Sequence, residues 1–327
     1  MYQLKGYDGI GIGAGQPLLV MAGLNVLEDE GLALEVAAEL KQICSDLSLP
    51  YVFKASFDKA NRSSIASYRG PGQADGLAML ASVKAAHGLP IVTDIHTPEQ
   101  ADAVAEIAEI VQLPAFLVRQ TDLVVAAAKA VARNGGWLHA KKAQFLAPWD
   151  CANIISKVRE AAPDLPVILC ERGSSFGYNN LAVDMLAIPE MHKLGVPVTI
   201  DATHAVQLPG ADPRTAGAST GGRRDGVPVL AKAAVAAGAD GVFLEFHPRP
   251  DEALCDAPSC LPLDAACPLL GSSRPFTTQC MKKSMADTAQ LSRRRSKAML
   301  VLRGKSRQHA LTTEIINQVP LCLSLHF

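Results

Sequence analysis

The feature that most constrains this chain is an alternation of short apolar runs with longer amphipathic stretches across residues 18–263. The runs are rich in β-branched residues and almost uninterrupted by charge, a pattern typical of strands buried on both faces of a parallel sheet. They are Leu18–Asn25, Tyr51–Ser56, Ile91–His96, Ile110–Phe116, Trp137–Gln144, Val167–Arg172, Val198–His204 and Gly241–His247. Eight strand–helix units in about 250 residues predict a closed (β/α)8 TIM barrel, with a doubly wound open sheet as the alternative.

Two of the amphipathic stretches carry helix-boundary signals. Thr97 can cap a helix, Pro98 suits its first position, and Gln100 can complete a capping box. Thr121 begins a second helical stretch, which Gly135 and the glycine after it can end. Both helices fall between predicted strands, as a barrel requires.

The first 17 residues contain the glycine-rich run Gly9–Gly15. Its spacing does not match the G-x-G-x-x-G pattern of a nucleotide-binding loop, and it leads through Pro17 into a strand, not from a strand into a helix. We interpret residues 1–17 as an N-terminal turn or hairpin.

Charge and hydropathy exclude several classes of protein. Lys and Arg number 31 against 32 Asp and Glu, so no overall field attracts nucleic acid or a membrane surface. No apolar stretch is long enough to cross a bilayer, and the N-terminus lacks a secretory or transit pattern. The eight cysteines form no C-x-x-C pair and are interpreted as small buried hydrophobic residues. We therefore expect a soluble cytoplasmic protein.

Residues 264–327 differ from the rest of the chain. They carry 10 basic and 3 acidic side chains, a net charge of +7, whereas residues 1–263 have a net charge of −8. Pro268, Gly271 and Pro275 are expected to break any helix that follows the last strand. The segment is predicted to be a divergent basic tail, poorly ordered or partly helical, and its run Arg293–Lys297 is interpreted as solvated.

Polar side chains end every predicted strand, which is where a parallel barrel places its active site. They are Asn25, Lys54, Ser56, Asp94, His96, Gln112, Lys141, Gln144, Arg172, Asp201, His204, Glu245 and His247. Two cations about 5 Å apart repel by roughly 3 kcal/mol at an effective dielectric near 20. Convergence of Lys54, Lys141 and Arg172 on one rim would therefore require anions between them, which predicts a polyanionic ligand.

Two loops offer further anion contacts. The loop after the second strand contains Lys59, Asn61, Arg62, Ser63, Ser64 and Arg69, residue types that suit a second phosphate position. The loop of residues 218–226 contains Arg223 and Arg224 in a glycine-rich setting. It is either a phosphate cradle or a mobile lid.

The same rim also contains residue types that bind metals. His204, Glu245 and Asp256 are residue types that can ligate a metal. The corresponding position on the first strand is Asn25, a weak neutral donor, so we expect no metal and no other cofactor.

The motifs at these positions resemble those of the 3-deoxy-D-manno-octulosonate 8-phosphate synthase family. The resemblance runs in order through YVFKASFDKANRSS (51–64), SYRGPG (67–72), TDIH (93–96), IVQLPAFLVRQTDL (110–123), KKAQF (141–145), ERGSSFGYNNLAVDM (171–185), DATHAVQ (201–207) and CDAPSCLPL (255–263). K-A-N-R-S-S distinguishes this family from the related heptulosonate synthases, which carry a K-P-R-T-S type motif there. The family resemblance implies a homotetramer, and Asn25 places the chain in its metal-independent group.

The resemblance implies that phosphoenolpyruvate condenses with D-arabinose 5-phosphate and water, releasing phosphate. Lys141 and Arg172 would hold the phosphoenolpyruvate phosphate, with Lys54, Ser56 and Lys59 about its carboxylate and reacting carbons. The remaining implied contacts are Asn61, Arg62 and Ser63 for arabinose 5-phosphate, Arg119 for its phosphate from a neighbouring subunit, Gln112, Pro114, Ala115 and Phe116 as a wall, and Asp94, Gln144 and Gln207 as polar lining.

Catalytic roles implied by the resemblance remain open between several residues. Lys59 or Asn25 would hydrogen-bond the aldehyde oxygen, and His204, Glu245 and Asp256 would order the water. His139 replaces an Asn that is usual in the family, a departure expected to change a loop without removing the site. The alternatives are a related heptulosonate-type synthase and a catalytically silent barrel that binds phosphorylated ligands.

Overall fold

The barrel is closed. A computed structural model describes residues 1–212 and 220–272 and contains eight parallel strands, all of them buried. They are β1 (Leu19–Val26), β2 (Tyr51–Ser56), β3 (Ile91–Asp94), β4 (Ile110–Leu113), β5 (Trp137–Lys141), β6 (Val167–Glu171), β7 (Val198–Asp201) and β8 (Gly241–His247). Each strand pairs in parallel with the next, and β8 pairs with β1. The predicted TIM barrel is confirmed and the open sheet is excluded.

Helices surround the barrel and bury one face against it. They are α1 (Glu30–Asp46), α2 (Gln73–His87), α3 (Ala101–Ile107), α4 (Thr121–Asn134), α5 (Ala152–Ala161), α6 (Ala187–His192), α7 (Ala202–Ala205), α8 (Val227–Ala236) and α9 (Ala266–Ser272). Pro98 opens a 3-10 turn that leads into α3, and the Gln100 side chain accepts a hydrogen bond from the Thr97 N–H at 3.3 Å. Gly135 ends α4 in the left-handed conformation, with φ of 70°. Both boundary predictions are confirmed.

The N-terminal hairpin closes the amino end of the barrel. Its strands Tyr2–Gln3 and Gly11–Ile12 are antiparallel. Leu4 and Ile12 are buried against the first residues of several barrel strands, among them Trp137. The carboxyl end of the barrel is therefore the end left for a functional site.

The prediction that proline and glycine prevent a helix after β8 is wrong for its first part. Helix α9 forms over Ala266–Ser272, after a 3-10 turn at Leu263–Ala265. Pro268 lies in the first turn of α9, where a backbone N–H has no partner within the helix, so its missing N–H costs nothing. Leu269 and Leu270 are buried, and α9 packs against α1.

The remainder of the predicted tail, including Pro275 and Arg293–Lys297, lies outside the described residues. The division into a barrel domain at 18–263 and a tail at 264–327 stays a prediction. None of the helices in the described part of the chain combines the length and the apolar character needed to cross a membrane.

Five strands end earlier than predicted. The apolar runs continue to Phe116, Gln144 and His204, but β4, β5 and β7 end at Leu113, Lys141 and Asp201. β3 and β6 end at Asp94 and Glu171, before the predicted His96 and Arg172. Residues just beyond a strand end are still buried at the rim, so hydrophobicity alone does not locate the last ladder hydrogen bond. Gln144 consequently lies on a loop at the mouth of the barrel, and His204 lies in the short helix α7.

Candidate active site

A cavity of about 630 Å³ opens at the carboxyl ends of the strands. Its lining comes from the loops that follow β2 to β8. Most of the predicted site residues line it, namely Lys59, Asn61, Arg62, Ser63, Asp94, Gln112, Pro114, Ala115, Phe116, Lys141, Gln144, Arg172, His204, Gln207 and Asp256. The structure therefore brings together residues spread over about 200 positions of the chain.

A buried ion pair lies beneath the cavity floor. Lys54 Nζ is 2.5 Å from Glu245 Oε1, and both side chains are buried, with at most 1% of their surface exposed. Lys54 also donates to the backbone carbonyls of Leu24 and Asn25. Burial lowers the pKa of Lys54 to about 8, although the charge of Glu245 acts in the opposite direction.

Asn25 connects two carboxylates at the edge of the floor. Its Nδ2 donates to Glu245 Oε2 at 2.5 Å and to Asp256 Oδ2 at 3.0 Å. His204 Nε2 lies 3.8 Å from each of the same two oxygens. One potential ligand atom from each of His204, Glu245 and Asp256 lies within 4.8 Å of the others, so the three side chains could approach one metal ion.

A second ion pair lies across the floor. Lys141 Nζ is 2.5 Å from Asp201 Oδ2 and 3.9 Å from the centroid of the Phe243 ring. The same Asp201 oxygen lies 2.8 Å from His204 Nδ1. Burial would raise the pKa of Asp201, but His204 and Lys141 together hold it well below its usual range. Asp201 is therefore a fixed negative charge that orients both Lys141 and His204.

Asp94 organises the opposite wall. Ser56 Oγ donates to Asp94 Oδ1 at 2.5 Å, and His96 Nε2 lies 3.0 Å from Asp94 Oδ2. Burial opposes ionisation of Asp94, yet the contact with His96 and the nearby lysines keep its pKa below the ordinary value. Burial likewise opposes the charge of Lys59, but the surrounding carboxylates, Glu245 foremost, raise the pKa of Lys59 above its ordinary value.

The positive charges of the predicted cation cluster are partly neutralised by carboxylates, which the sequence argument did not assume. Lys54 and Lys141 each have a buried carboxylate partner, which removes most of the repulsion that the sequence argument assumed. Arg172 donates to Gln207 Oε1 at 2.9 Å, while its buried Nη1 has no partner among the described residues. Within residues 1–212 and 220–272, Arg172, Lys59 and Arg62 line the cavity and have no carboxylate at ion-pair distance, so these three are the cations left to meet an anionic ligand.

The basic loop after β2 divides between the cavity and its surroundings. Asn61 and Ser63 line the cavity and are exposed. Arg62 also lines it and extends to the loop after β8, where Nη1 lies 2.5 Å from Cys255 Sγ. Arg69 turns away and pairs with Asp58 at 2.5 Å. Five predicted site residues are not in the lining: Asn25, Lys54, Ser56 and Glu245 lie beneath it, and Arg119 lies outside the cavity.

The glycine-rich loop after β7 does not supply the predicted arginine contacts. Arg223 donates to the Leu181 carbonyl, and Arg224 pairs with Asp251 at 2.8 Å. Neither arginine lines the cavity. Residues 213–219, which include the start of this loop, lie outside the described residues, so the choice between a cradle and a lid stays a prediction.

Three side chains that contact predicted site residues have no role predicted from the sequence. The sequence indicates Asp201 and His96 only as polar residues at strand ends, and Phe243 only as part of a strand. The signal for Asp201 was present in D-A-T-H, where a strand-end carboxylate precedes a histidine by three positions and caps α7. Phe243 carries no such signal, because the part that its ring plays depends on which side chains pack against it in the folded barrel.

Fold and site together define a (β/α)8-barrel enzyme whose mouth is arranged to hold small anionic molecules. The chain belongs to the DAHP synthetase I family, whose model matches residues 1–271.

Three curated relatives to which this chain is similar carry the name "2-dehydro-3-deoxyphosphooctonate aldolase". The protein from Desulfotalea psychrophila is 53% identical over 253 residues, which cover 77% of this chain and 87% of the relative. That from Nitratidesulfovibrio vulgaris is 55% identical over 245 residues, covering 75% and 86%. That from Hahella chejuensis is 50% identical over 281 residues, covering 86% and 97%. The resemblance identified from the motifs is confirmed.

Proposed function

We propose that this chain is a 3-deoxy-D-manno-octulosonate 8-phosphate synthase, a transferase that condenses phosphoenolpyruvate with D-arabinose 5-phosphate and water and releases phosphate. One observation carries the proposal: residues 59–63 of the K-A-N-R-S-S loop, Lys141 and Arg172 line a single cavity. Two phosphorylated substrates need such a concentration of cationic and hydroxyl groups. The name shared by the relatives supports the octulosonate product over the heptulosonate alternative.

The phosphoenolpyruvate phosphate is assigned to Arg172 and Lys141. The buried Nη1 of Arg172 has no partner among the described residues, and its Nη2 donates to Gln207 Oε1. The guanidinium is therefore oriented before any ligand binds. Lys59 is assigned to the carboxylate and reacting carbons. Lys54 and Ser56, being beneath the lining, act by fixing Glu245 and Asp94.

Lys59 is the better candidate for the aldehyde oxygen of the sugar. Asn25 was the alternative, but both N–H bonds of its amide are used by Glu245 and Asp256. Lys59 lines the cavity and has no carboxylate at ion-pair distance among the described residues. In the proposed reaction, C3 of the enol phosphate bonds to the aldehyde carbon, the aldehyde π electrons move to its oxygen, and Lys59 stabilises the negative charge that grows there.

His204, Glu245 and Asp256 are assigned to the water that adds at C2. The 3.8 Å separations between His204 Nε2 and the two carboxylates exceed a direct hydrogen bond and suit a bridge through one water. A water held there would bond through its oxygen to C2, where positive character develops, and give up a proton to one of these side chains or to the substrate phosphate. Phosphate then leaves with the electron pair of its C2–O bond while the new C2 hydroxyl becomes the ketone.

We infer that the reaction proceeds without a metal. Asn25 places hydrogen-bond donors against two of the three side chains that could ligate one. An amide N–H cannot coordinate a cation, and its donation orients the carboxylate oxygens toward nitrogen. The amide therefore takes over the orienting role that a cation would have.

We also infer a homotetramer in which Arg119 serves the site of a neighbouring subunit. Arg119 is exposed and lies outside the cavity of its own subunit. Exposed aromatic side chains near the mouth, Phe116, Phe145, Phe176 and Tyr178, supply apolar surface for subunit contacts. In light scattering the wild type should have four times the mass of one chain. Arg119→Ala should raise the KM for arabinose 5-phosphate more than that for phosphoenolpyruvate.

A cytoplasmic location follows from the proposed substrates, since phosphoenolpyruvate is an intracellular metabolite. The cysteines of the described residues are free thiols, as in reducing compartments.

The experiment that tests the activity is a phosphate-release assay with each substrate omitted in turn. Release should require both phosphoenolpyruvate and arabinose 5-phosphate, and erythrose 4-phosphate should substitute poorly. Turnover with erythrose 4-phosphate at an equal kcat/KM would support the heptulosonate reaction instead. Calorimetric binding of phosphoenolpyruvate without turnover would identify a silent barrel.

A further inference from the structure

His139 is a fully buried titratable side chain that the mechanism above does not use. It lies on β5 inside the barrel, one layer below the cavity. Its Nδ1 is 3.2 Å from Gln112 Oε1 on β4, and its Nε2 is 2.9 Å from Thr199 Oγ1 on β7. The ring thus connects two strands across the barrel interior.

The position of the ring is fixed on its faces as well as its edges. His139 stacks on Phe243, with centroids 5.8 Å apart and planes at 12°. Phe243 is also the ring against which Lys141 Nζ lies. Burial, with the nearby charge of Lys141, lowers the pKa of His139 to about 3, so the imidazole is neutral at physiological pH.

A neutral imidazole has one donor and one acceptor nitrogen, and its neighbours decide which is which. Gln112 presents its amide oxygen to Nδ1, an arrangement that requires the proton on Nδ1. Nε2 must then accept from the Thr199 hydroxyl. That hydroxyl lies 2.9 Å from Nε2 and 3.3 Å from its alternative acceptor, the Leu169 carbonyl.

The tautomer of His139 has a consequence for the cavity. Because the Gln112 oxygen is held by His139, the NH2 group at the other end of the amide is left to donate. Gln112 lines the cavity, and within the described residues no group accepts a hydrogen bond from that NH2. With the opposite tautomer the amide would reverse and present a carbonyl oxygen to anionic substrates, which it would repel.

We propose that His139 is a positioning residue that holds the Gln112 amide with its NH2 directed at substrate. The role rests on the proposed function for the identity of the substrates, but not for the hydrogen-bond arrangement itself. A buried structural histidine would give the same packing without requiring one tautomer.

The direct test is nuclear magnetic resonance of protein labelled with 15N-histidine, with His139→Asn used to assign the signal. His139 should show a protonated Nδ1 and an unprotonated Nε2, with no titration between pH 5.5 and 8.5. A protonated Nε2, or titration in that range, would overturn the proposal. This readout needs no substrate, so it stands even if the proposed reaction fails.

A double-mutant cycle tests the coupling to ligand. His139→Leu and Gln112→Leu should each weaken the same substrate, seen as a KM raised at least tenfold with kcat changed less than twofold. The double variant should be no weaker than Gln112→Leu alone. Multiplying effects, or an unchanged KM in His139→Leu, would show that His139 does not act through Gln112.

Rescue separates positioning from packing. His139→Asn retains an amide donor for the Gln112 oxygen and should keep the KM within threefold of wild type, although it loses the stacking on Phe243. If circular dichroism shows that His139→Leu does not fold, His139→Asn is compared with Gln112→Leu instead. An equal rise of the KM in these two variants would contradict the proposal. Should turnover be absent, the dissociation constants for phosphoenolpyruvate and arabinose 5-phosphate from calorimetry replace the KM values.

Discussion

Lys54 and Glu245 form an ion pair 2.5 Å long that is completely enclosed by the barrel, although 191 residues separate them in the chain. Isolated buried charges cost several kcal/mol, so such a pair persists only when further hydrogen bonds satisfy both groups. Two backbone carbonyls do this for Lys54, and the Asn25 amide does it for Glu245. The pair makes the stability of the cavity floor sensitive to pH.

Acid should destabilise the protein through these buried carboxylates. Burial opposes the ionised form of Glu245, but His204 and Lys54 lower its pKa from 4.5 to about 2. The unfolded chain therefore binds more protons between these values, and stability present above pH 4.5 is lost as the pH falls toward 2. His139 adds to this loss, because burial lowers its pKa from 6.5 to about 3 and the unfolded chain alone takes up that proton. The urea midpoint should therefore begin to fall below about pH 6.5 and fall more steeply below pH 4.5.

Asp94→Asn supplies the comparison for this pH profile. The pKa of Asp94 is also below its ordinary value, so the variant should show a shallower fall of the urea midpoint in acid. Asp164→Asn, at an exposed loop position, should keep the wild-type profile. Parallel curves for all three proteins would contradict this assignment.

Lys141→Ala should reduce kcat/KM more than a hundredfold. The change removes the cation assigned to the phosphoenolpyruvate phosphate and leaves Asp201 without its lysine partner. Steady-state kinetics of phosphate release measure the effect, and Lys129→Ala on the exposed face of α4 is the matched control. A rate unaffected by Lys141→Ala would exclude the phosphate role.

Chelation should leave activity unchanged. The Asn25 amide already orients the two carboxylates that a metal would otherwise hold. Activity is measured after EDTA treatment and dialysis, with the metal content of the enzyme determined in parallel. Complete loss on EDTA with recovery on added Mn²⁺ would refute the metal-independent assignment.

Lys142→Met should destabilise the barrel by about 3 kcal/mol, because it removes the cation from a buried pair with Glu171. Burial already raises the pKa of Glu171. Without Lys142 the folded protein would protonate Glu171 more readily than the unfolded chain, so the loss should be larger at pH 8 than at pH 5.

Glu171→Gln should recover much of this loss in the double variant. The amide oxygen can still accept from the N–H groups of Arg172 and Gly173, which Glu171 Oε1 now does at 3.0 and 2.6 Å. Chemical denaturation of the two single variants and the double variant measures this. An additive double variant would show that the pair is not coupled.

Ile12→Ala should lower the free energy of unfolding by about 2 to 4 kcal/mol without changing kcat. Ile12 is fully buried in the hairpin that closes the amino end of the barrel, at the opposite end from the cavity. Val229→Ala, at an exposed position of α8, should be close to neutral in both measurements. A loss of kcat in a folded Ile12→Ala protein would contradict this prediction and show that the hairpin influences the active site.

Local sequence signals were sufficient to predict two of the helix boundaries. The capping signal at Thr97–Gln100 and the glycine at 135 act within one helical turn, so they could be read directly. The prediction at Pro268 was wrong because the cost of a proline depends on which turn of the helix it occupies, and Pro268 lies in the first turn of α9.

By itself the sequence determined the barrel and the end that carries the site. Both follow from periodicity and from the rule that parallel strands end at the same rim, and neither requires knowing which side chains touch. Only the tertiary structure decided the partners. Lys54 with Glu245, Lys141 with Asp201 and His139 with Gln112 each join different strands. Such pairings depend on side-chain distances and burial, which the order of residues along the chain does not contain.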